Sequence, residues 1–222
     1  MISLAYARNE ERLSEKEYER LCRSLPPEMR DDLRRYRRWQ DRQAGLLGKL
    51  LMNYTVREVM GEPPDQSTLV TDAYRRPFLA GRPDLDFNIS HTAGLVVCAA
   101  AAGMGRLGVD VERVGEIQLA EFRRVFTEEE YALLSGLPDA TATFFRLWTR
   151  KEAVMKADGR GFSLDPAGID CLPDRIGVDG NCYAVRELDL GAGYAAHLAA
   201  SDVDEVVVGE VRFPRHPRPR PE

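Results

Sequence analysis

Cysteine is sparse and unpatterned in this chain. Cys22, Cys98, Cys171 and Cys182 form no Cys-x-x-Cys pair and no Cys/His spacing of the kind that builds a zinc site. Their apolar or mixed neighbours point to free, buried thiols in a reducing compartment. Long hydrophobic runs are also missing: nothing approaches the roughly 18 apolar residues of a membrane helix, and the apolar stretch 95–102 has the length of a core strand. The opening residues, Met1 to Ala7, carry no basic segment and pass at once into charged sequence, so they are expected to be a first strand rather than a signal peptide. A cytoplasmic protein is expected, with no membrane partner. There is no excess of positive charge: 31 Lys and Arg stand against 36 Asp and Glu, a net of -5. That balance disfavours nonspecific nucleic-acid binding. The basic residues present are concentrated, with Arg30, Arg34, Arg35, Arg37, Arg38 and Arg42 crowding one short stretch. That stretch is either a local anion trap or a solvated helix face paired with Asp31, Asp32 and Asp41.

The 222 residues can bury a sizeable core, and 44% hydrophobic with 30% charged residues is ordinary for a globular protein. Ser14 followed by Glu17 is a capping box that opens a helix, and Pro26-Pro27 is expected to end it. A second helical region spans about 28–60, broken near Trp39, and its second half has the spacing of a largely buried helix. Strands are expected over 67–71, 77–79, 85–90, 95–102 and 106–112. A second capping box, Thr127 with Glu130, opens a helix to about Ser135, and a longer helix covers 141–158. Strands follow over 169–172, 181–188, 194–200 and 205–211. Helices followed by strands thus occur twice. The tail from Pro214, rich in Pro and Arg, is expected to be disordered.

Chemistry concentrates in two acidic motifs, Gly108-Val109-Asp110-Val111-Glu112 and Trp148-Thr149-Arg150-Lys151-Glu152-Ala153. Asp110 and Glu112 are two apart in an apolar strand, so both carboxylates leave from one face. Held that close they repel unless a cation or proton lies between them. With Glu152 the set suits a hard divalent ion; the competing possibility is a solvated edge-strand face. Glu152 and Lys156 share a helix face, either as a routine ion pair or as a carboxylate for metal beside an ammonium for phosphate. Phe87-Asn88-Ile89-Ser90-His91-Thr92 is a strand ending in a hydroxyl and an imidazole, unsuited to a hydrolase dyad because strand neighbours face opposite ways. Arg75-Arg76-Pro77 adds cation before that strand, on what is otherwise an exposed turn.

Five pieces in register carry a family resemblance: Arg76-Pro77, the stretch from Phe87 to Thr92, the stretch from Gly108 to Glu112, Phe126-Thr127-Glu128-Glu129-Glu130-Tyr131, and the stretch from Trp148 to Ala153 with Lys156. Together they resemble the Sfp-type 4′-phosphopantetheinyl transferases. The resemblance implies an α+β fold of two similar halves in a pseudo-dimer, each with helices on a small antiparallel sheet, divided here as 1–105 and 106–213. It implies a monomer with coenzyme A in the cleft between the halves. Asp110, Glu112 and Glu152 would ligate Mg²⁺, with Mn²⁺ as the alternative ion. Ser90, His91 and Lys156 would hold coenzyme A phosphates, and Arg76 would lie near the adenine and 3′-phosphate. The resemblance puts Met29 and Asp32 where relatives carry basic residues for that phosphate, so Arg30, Arg34 or Arg35 is the expected substitute, with Arg30 and Arg35 taken as the candidates.

The implied reaction moves 4′-phosphopantetheine from coenzyme A to a serine of an apo acyl or peptidyl carrier protein and releases adenosine 3′,5′-bisphosphate. Glu152 would take the serine proton, directly or through a metal-bound water, and Lys156 would stabilise or protonate the leaving group. Residues 113–135, with Arg113, Phe122, Arg123, Arg124 and Phe126, are a candidate carrier surface, against ordinary helix packing for the phenylalanines. A metal-dependent nuclease would want Glu-x-Lys on the strand, and Glu112 is followed by Arg113-Val114 instead. A non-catalytic coenzyme A scaffold would not be expected to keep all three carboxylates.

Overall fold

The computed structural model describes residues 1–213; the Pro/Arg tail lies outside them. Strand β1 (Ile2–Arg8) is followed by helices α1 (Glu15–Cys22), α2 (Pro27–Arg34) and α3 (Trp39–Met60). Strands β2 (Leu69–Thr71), β3 (Pro77–Leu79), β4 (Leu85–Thr92), β5 (Leu95–Ala102) and β6 (Leu107–Arg113) come next. Helices α4 (Glu128–Ser135) and α5 (Thr141–Asp158) precede β7 (Arg175–Val178), β8 (Asn181–Glu187), β9 (Tyr194–Ala200) and β10 (Val206–Glu210).

Both capping boxes form as expected, at Ser14 and Thr127. Pro27 does the opposite of what was expected of it: it opens α2 at the first helical position, where its missing N–H costs nothing. The expected strand over 169–172 is absent. Those residues follow a short 3₁₀ turn (Pro166–Gly168), and the Cys171 amide donates to Glu130 rather than to a strand. The neighbouring strand is β7, too short to stand out in the sequence.

Two four-stranded sheets, β10-β1-β5-β4 and β6-β9-β8-β7, pack face to face. Ile2, Leu4, Leu95, Val97 and Ala99 from one meet Leu107, Val109, Val111 and Leu198 from the other. On the outer side of the first sheet, Ala44, Leu47 and Leu51 of α3 cover Val96, Cys98 and Ala100. On the outer side of the second, Val154, Met155 and Ala157 of α5 cover Ile176, Tyr183 and Ala199. The order is therefore helix, sheet, sheet, helix. The repeat extends to details: both long helices end on a left-handed glycine, Gly61 and Gly159, and an Asp-capped 3₁₀ turn comes a few residues later, at Asp65 and, after a first 3₁₀ turn over Gly161–Ser163, at Asp165. The division at 105/106 falls between β5 and β6, but β10 returns to the first sheet and pairs parallel to β1. That sheet is accordingly mixed rather than purely antiparallel.

Alternate side chains of edge strand β4 join the two halves. Asp86, Asn88, Ser90 and Thr92 accept the backbone N–H groups of Leu107, Val109, Val111 and Arg113, at 2.7, 3.0, 3.4 and 3.1 Å. Each carries a short oxygen-bearing side chain, so this strand satisfies the exposed edge of β6 while its odd residues Phe87 and Ile89 pack on the α3 side. The candidate site grows from this seam.

Candidate active site

Ser90 and Thr92 act on both sides of the seam. The Ser90 hydroxyl donates to Asp110 Oδ1 at 2.8 Å, and Thr92 donates to Glu112 Oε2 at 3.0 Å. Register on β6 sends the side chains of Gly108, Asp110 and Glu112 away from the inter-sheet core, which Leu107, Val109 and Val111 fill. Helix α5 lies against that outer face at Gly108, where a Cβ would collide with the backbone of Ala153, Lys156 and Ala157. This close approach brings Lys156 Nζ to 2.5 Å from Asp110 Oδ1, 3.1 Å from Ser90 Oγ and 3.8 Å from Glu152 Oε2. Asp110, Ser90, Glu112, Glu152 and Lys156 are thus one cluster, assembled from β4, β6 and α5.

Its electrostatics are those of carboxylates short of positive charge. Burial raises the Glu152 pKa to about 7; Lys156 pulls it down, and Asp110 and Glu112 push it up. Burial also raises Glu112, with Asp110 adding to the effect and Thr92 opposing it. Asp110 is 2% exposed, and its Oδ2 has no hydrogen-bond partner. Among the described residues no three Asp, Glu, His or Cys side chains form a closed ligand set; the Lys156 ammonium reaches Asp110 and Glu152 instead. The unpartnered Oδ2, two further carboxylates and an all-oxygen donor set fit a hard divalent ion better than a soft one.

Arg76 has a different place from the one expected. Its guanidinium is 8% exposed and is taken up by Asp86 Oδ2 at 2.6 Å, the Leu107 carbonyl at 2.7 Å and the Lys156 carbonyl. It staples the loop before β3 to β6 and α5, so it has little left to offer a nucleotide. A buried arginine with carboxylate and carbonyl partners is a positioning device, here for the residue that carries the ammonium. Arg30 is half-buried, lies close enough to Cys22 to lower its pKa, and is not among the residues lining the nearby cavity. Arg35 does line it, paired with Asp32 at 3.2 Å. Among the candidate carrier residues, Phe126 is 1% exposed and Phe122 packs on Phe144 at 4.7 Å, so the phenylalanines are core; Arg113 and Arg124 are exposed.

His91 projects from the seam into two depressions. One, of about 580 Å³, lies between α2, α3 and β4 and includes Arg35, Tyr36, Gly48 and Lys49; the other, of about 560 Å³, includes Arg38, Trp39, Thr92 and Arg113. Partial desolvation and the Lys156 charge lower the His91 pKa, and Asp41 opposes them.

Sequence reasoning overlooked three residues away from water or nearly so. Asp86 anchors Arg76. Lys151 is fully buried against Glu130. His197, paired across from Asp110 on β9, is 1% exposed. The Thr149 hydroxyl lies 2.8 Å from the Phe145 carbonyl and 2.7 Å from His197 Nδ1. Its single proton serves the carbonyl, so the imidazole donates to it, while Nε2 has no partner. Burial, with Arg150 and Arg146 nearby, lowers the His197 pKa to about 3. A folded pKa below the unfolded one stabilises the protein above about pH 6.5, and that stability is lost as pH falls toward 3, by up to about 1.4 kcal/mol per pH unit. Urea unfolding at pH 7 and pH 5 should therefore show a larger drop for the wild type than for His197→Asn. Equal drops would mean that His197 is not held neutral.

Fold and site together describe a two-halved α+β protein with a carboxylate–lysine cluster built across its seam and depressions of about 580 and 560 Å³ beside it. Comparison with known proteins specifies it. The sequence profile of the 4′-phosphopantetheinyl transferase superfamily matches residues 106–199, and that of the 4′-phosphopantetheinyl transferase N-terminal region matches residues 12–103. The 4′-phosphopantetheinyl transferase psf-1 of Bacillus pumilus is 32% identical over 167 residues, covering 74% of this chain and 70% of its own. The ffp enzyme of Bacillus subtilis is 31% identical, and Sfp of Bacillus subtilis strain 168 is 29% identical, each over 205 residues, 86% of this chain and 89% of theirs. The chain belongs to the 4′-phosphopantetheinyl transferase superfamily and is an enzyme of its Sfp-type branch. It transfers phosphopantetheine to carrier proteins. No helix among the described residues is long and apolar enough to cross a membrane.

Proposed function

We propose that this enzyme takes 4′-phosphopantetheine from coenzyme A, with Mg²⁺ held by Asp110, Glu112 and Glu152, and places it on a serine of an apo acyl or peptidyl carrier protein. Adenosine 3′,5′-bisphosphate is the second product. The observation that carries this reading is the buried Asp110, with one oxygen shared by Ser90 and Lys156 and the other unpartnered. Such an ion would neutralise the charge of the coenzyme A pyrophosphate. Glu152, facing Lys156 on the same turn of α5, would take the serine proton directly or through a metal-bound water. Lys156 is placed to stabilise or protonate the leaving phosphate, and the seam bonds of Ser90 and Thr92 fix the strand carboxylates in advance. Arg113, next to Glu112 in the chain, and Arg124 are both exposed and suit an acidic carrier surface.

The test is mass spectrometry of apo carriers after incubation with coenzyme A and Mg²⁺. A gain of one phosphopantetheine on a single serine is expected, with none after chelation by EDTA. Asp110→Asn keeps the side-chain shape but removes the charge, and should lower the transfer rate by about 10²–10³-fold with circular dichroism unchanged. A near wild-type rate for this variant would sink the metal-site assignment.

A further inference from the structure

Strand β10 ends the first sheet on the side away from the catalytic seam. The Glu205 carbonyl accepts the Ile2 amide, and the Val211 amide donates to the Tyr6 carbonyl. Backbone groups alternate sides along a strand, so residues 205, 207, 209 and 211 serve β1, and the N–H and C=O groups of Val206, Val208 and Glu210 point outward. No described residue takes them up. The side chains do not screen them: Val207 is 59% exposed and Val208 42%. Edge strands are ordinarily blunted by lysine, proline or a bulge. Val206-Val207-Val208-Gly209 has none of these and keeps unbroken register with β1. The free edge of the second sheet, β7, is shorter and begins on an exposed arginine, Arg175.

This edge is complementary to itself. Laid antiparallel against a second copy, with a twofold axis between the two Val208 residues, β10 sets Val206 opposite Glu210 and Val208 opposite Val208. Those are the residues with outward backbone groups, so each pair exchanges both hydrogen bonds. The same register sets Asp204 of one copy opposite Arg212 of the other, both exposed, and opposite charges facing across strands attract. Centring the pair on Val207 would set Asp204 against Glu210 instead. Centring it on Glu210 would set that carboxylate against its own copy. Like charges directly opposite are destabilising, so the Val208 register is favoured over both.

We infer that the enzyme self-associates through β10, in place of the monomer that the family resemblance implies. The contact is isologous, and it runs one sheet through both copies in the order β4-β5-β1-β10-β10-β1-β5-β4. The carboxylate–lysine clusters lie beyond its two β4 ends, so the pairing closes neither of them, and transfer per chain is independent of association. A single five-residue strand makes a small interface, and the dimer is accordingly reversible and concentration-dependent.

The test is sedimentation velocity of the full chain across a dilution series, for the wild type, Val208→Lys and Val208→Cys. The wild type should sediment as a monomer when dilute and as a dimer when concentrated. Val208→Lys brings two ammonium groups together at the axis and should stay monomeric at every concentration, with circular dichroism and transfer rate unchanged. Oxidised Val208→Cys should give a disulfide-linked dimer on a non-reducing gel, because the Cα atoms of such an opposed pair, about 5.5 Å apart, are within disulfide reach. Val207→Cys, opposite Gly209, should cross-link far less. The cysteine pair carries the test if the lysine protein does not fold. A wild type that stays monomeric throughout overturns the inference, and so does a dimer that Val208→Lys leaves intact or that Val207→Cys cross-links equally well. Each of these outcomes leaves the transferase reading intact.

Discussion

Replacing Lys151 by Met is expected to lower the unfolding free energy by about 3–5 kcal/mol, or roughly 6–20 °C in Tm for a chain of this size. Neither partner of the Lys151–Glu130 pair has any exposed side-chain surface. Buried pairs seldom add stability against a well-packed apolar replacement, because desolvating two ions offsets most of their attraction. Losing one partner is different. Lys151 Nζ has three donors, and they go to Glu130 at 2.9 Å, the Pro166 carbonyl at 2.8 Å and the Ile169 carbonyl at 2.5 Å. Glu130 in turn accepts the N–H groups of Thr127 at 2.9 Å and Cys171 at 2.7 Å. The methionine would strand a buried carboxylate and two carbonyls at once. Glu130 is also the last residue of the α4 capping box, so α4, α5 and the 161–172 segment all depend on this one ammonium. Urea unfolding measures the loss. The double variant Lys151→Met/Glu130→Met should recover part of it, since it removes both charges together. A single Lys151→Met protein within about 1 kcal/mol of wild type would show that the pair contributes little.

Lys151 also marks where the sequence stops being informative. It stands in the acidic motif beside Glu152, and lysines on helices are usually exposed; nothing in composition or spacing says that its tip reaches two carbonyls 15 and 18 residues on. The same holds for Arg76. Its position among the motifs was legible, but its partners were not, because a guanidinium near a strand serves a phosphate or a carboxylate equally well. Asp86, which decides the matter, lay two residues before Asn88 and drew no notice. The alternation of Asp86, Asn88, Ser90 and Thr92 with Leu85, Phe87 and Ile89 was visible as a period of two, but only the strand's end, Ser90 and His91, was read as chemistry. The face is polar because it replaces a ladder of backbone bonds to β6, and that depends on a second strand edge no local pattern can supply. Capping boxes and long-helix periodicity were legible because their physics is local. Pro27 misled because proline both ends and begins helices. The core of the cluster, Asp110, Glu112, Glu152, Lys156 and Ser90, was legible through motif order, and the fold does bring those five together.

Substituting Gly108 by Ala is expected to disable the enzyme through geometry alone, without touching a charged group. Gly108 has ordinary strand conformation, so no backbone strain is involved. The obstacle is α5: the new methyl would lie well inside contact distance of the Ala153 carbonyl oxygen and the Ala157 amide nitrogen, and 2.9 Å from the Lys156 carbonyl carbon. All three are backbone atoms of one helix, so no side chain can rotate away, and α5 must retreat from β6 as a body. That helix packs Ala153, Val154 and Ala157 into a core with no exposed surface to yield, so overpacking should cost about 1–3 kcal/mol or more. The catalytic consequence is larger. Lys156 sits at the contact itself and Glu152 one turn before it, whereas Asp110 and Glu112 stay with β6. Pushing the helix back opens the 2.5 Å link between Lys156 and Asp110 and separates Glu152 from the strand carboxylates. A misplacement of about 1 Å in such a site lowers rate by roughly 100-fold. Transfer by a folded Gly108→Ala protein should therefore fall by about that factor, while Gly115→Ala, in open space on the following loop, should remain near wild type. A folded Gly108→Ala protein with undiminished transfer would mean that the close seating of α5 on β6 does not position the carboxylate–lysine cluster.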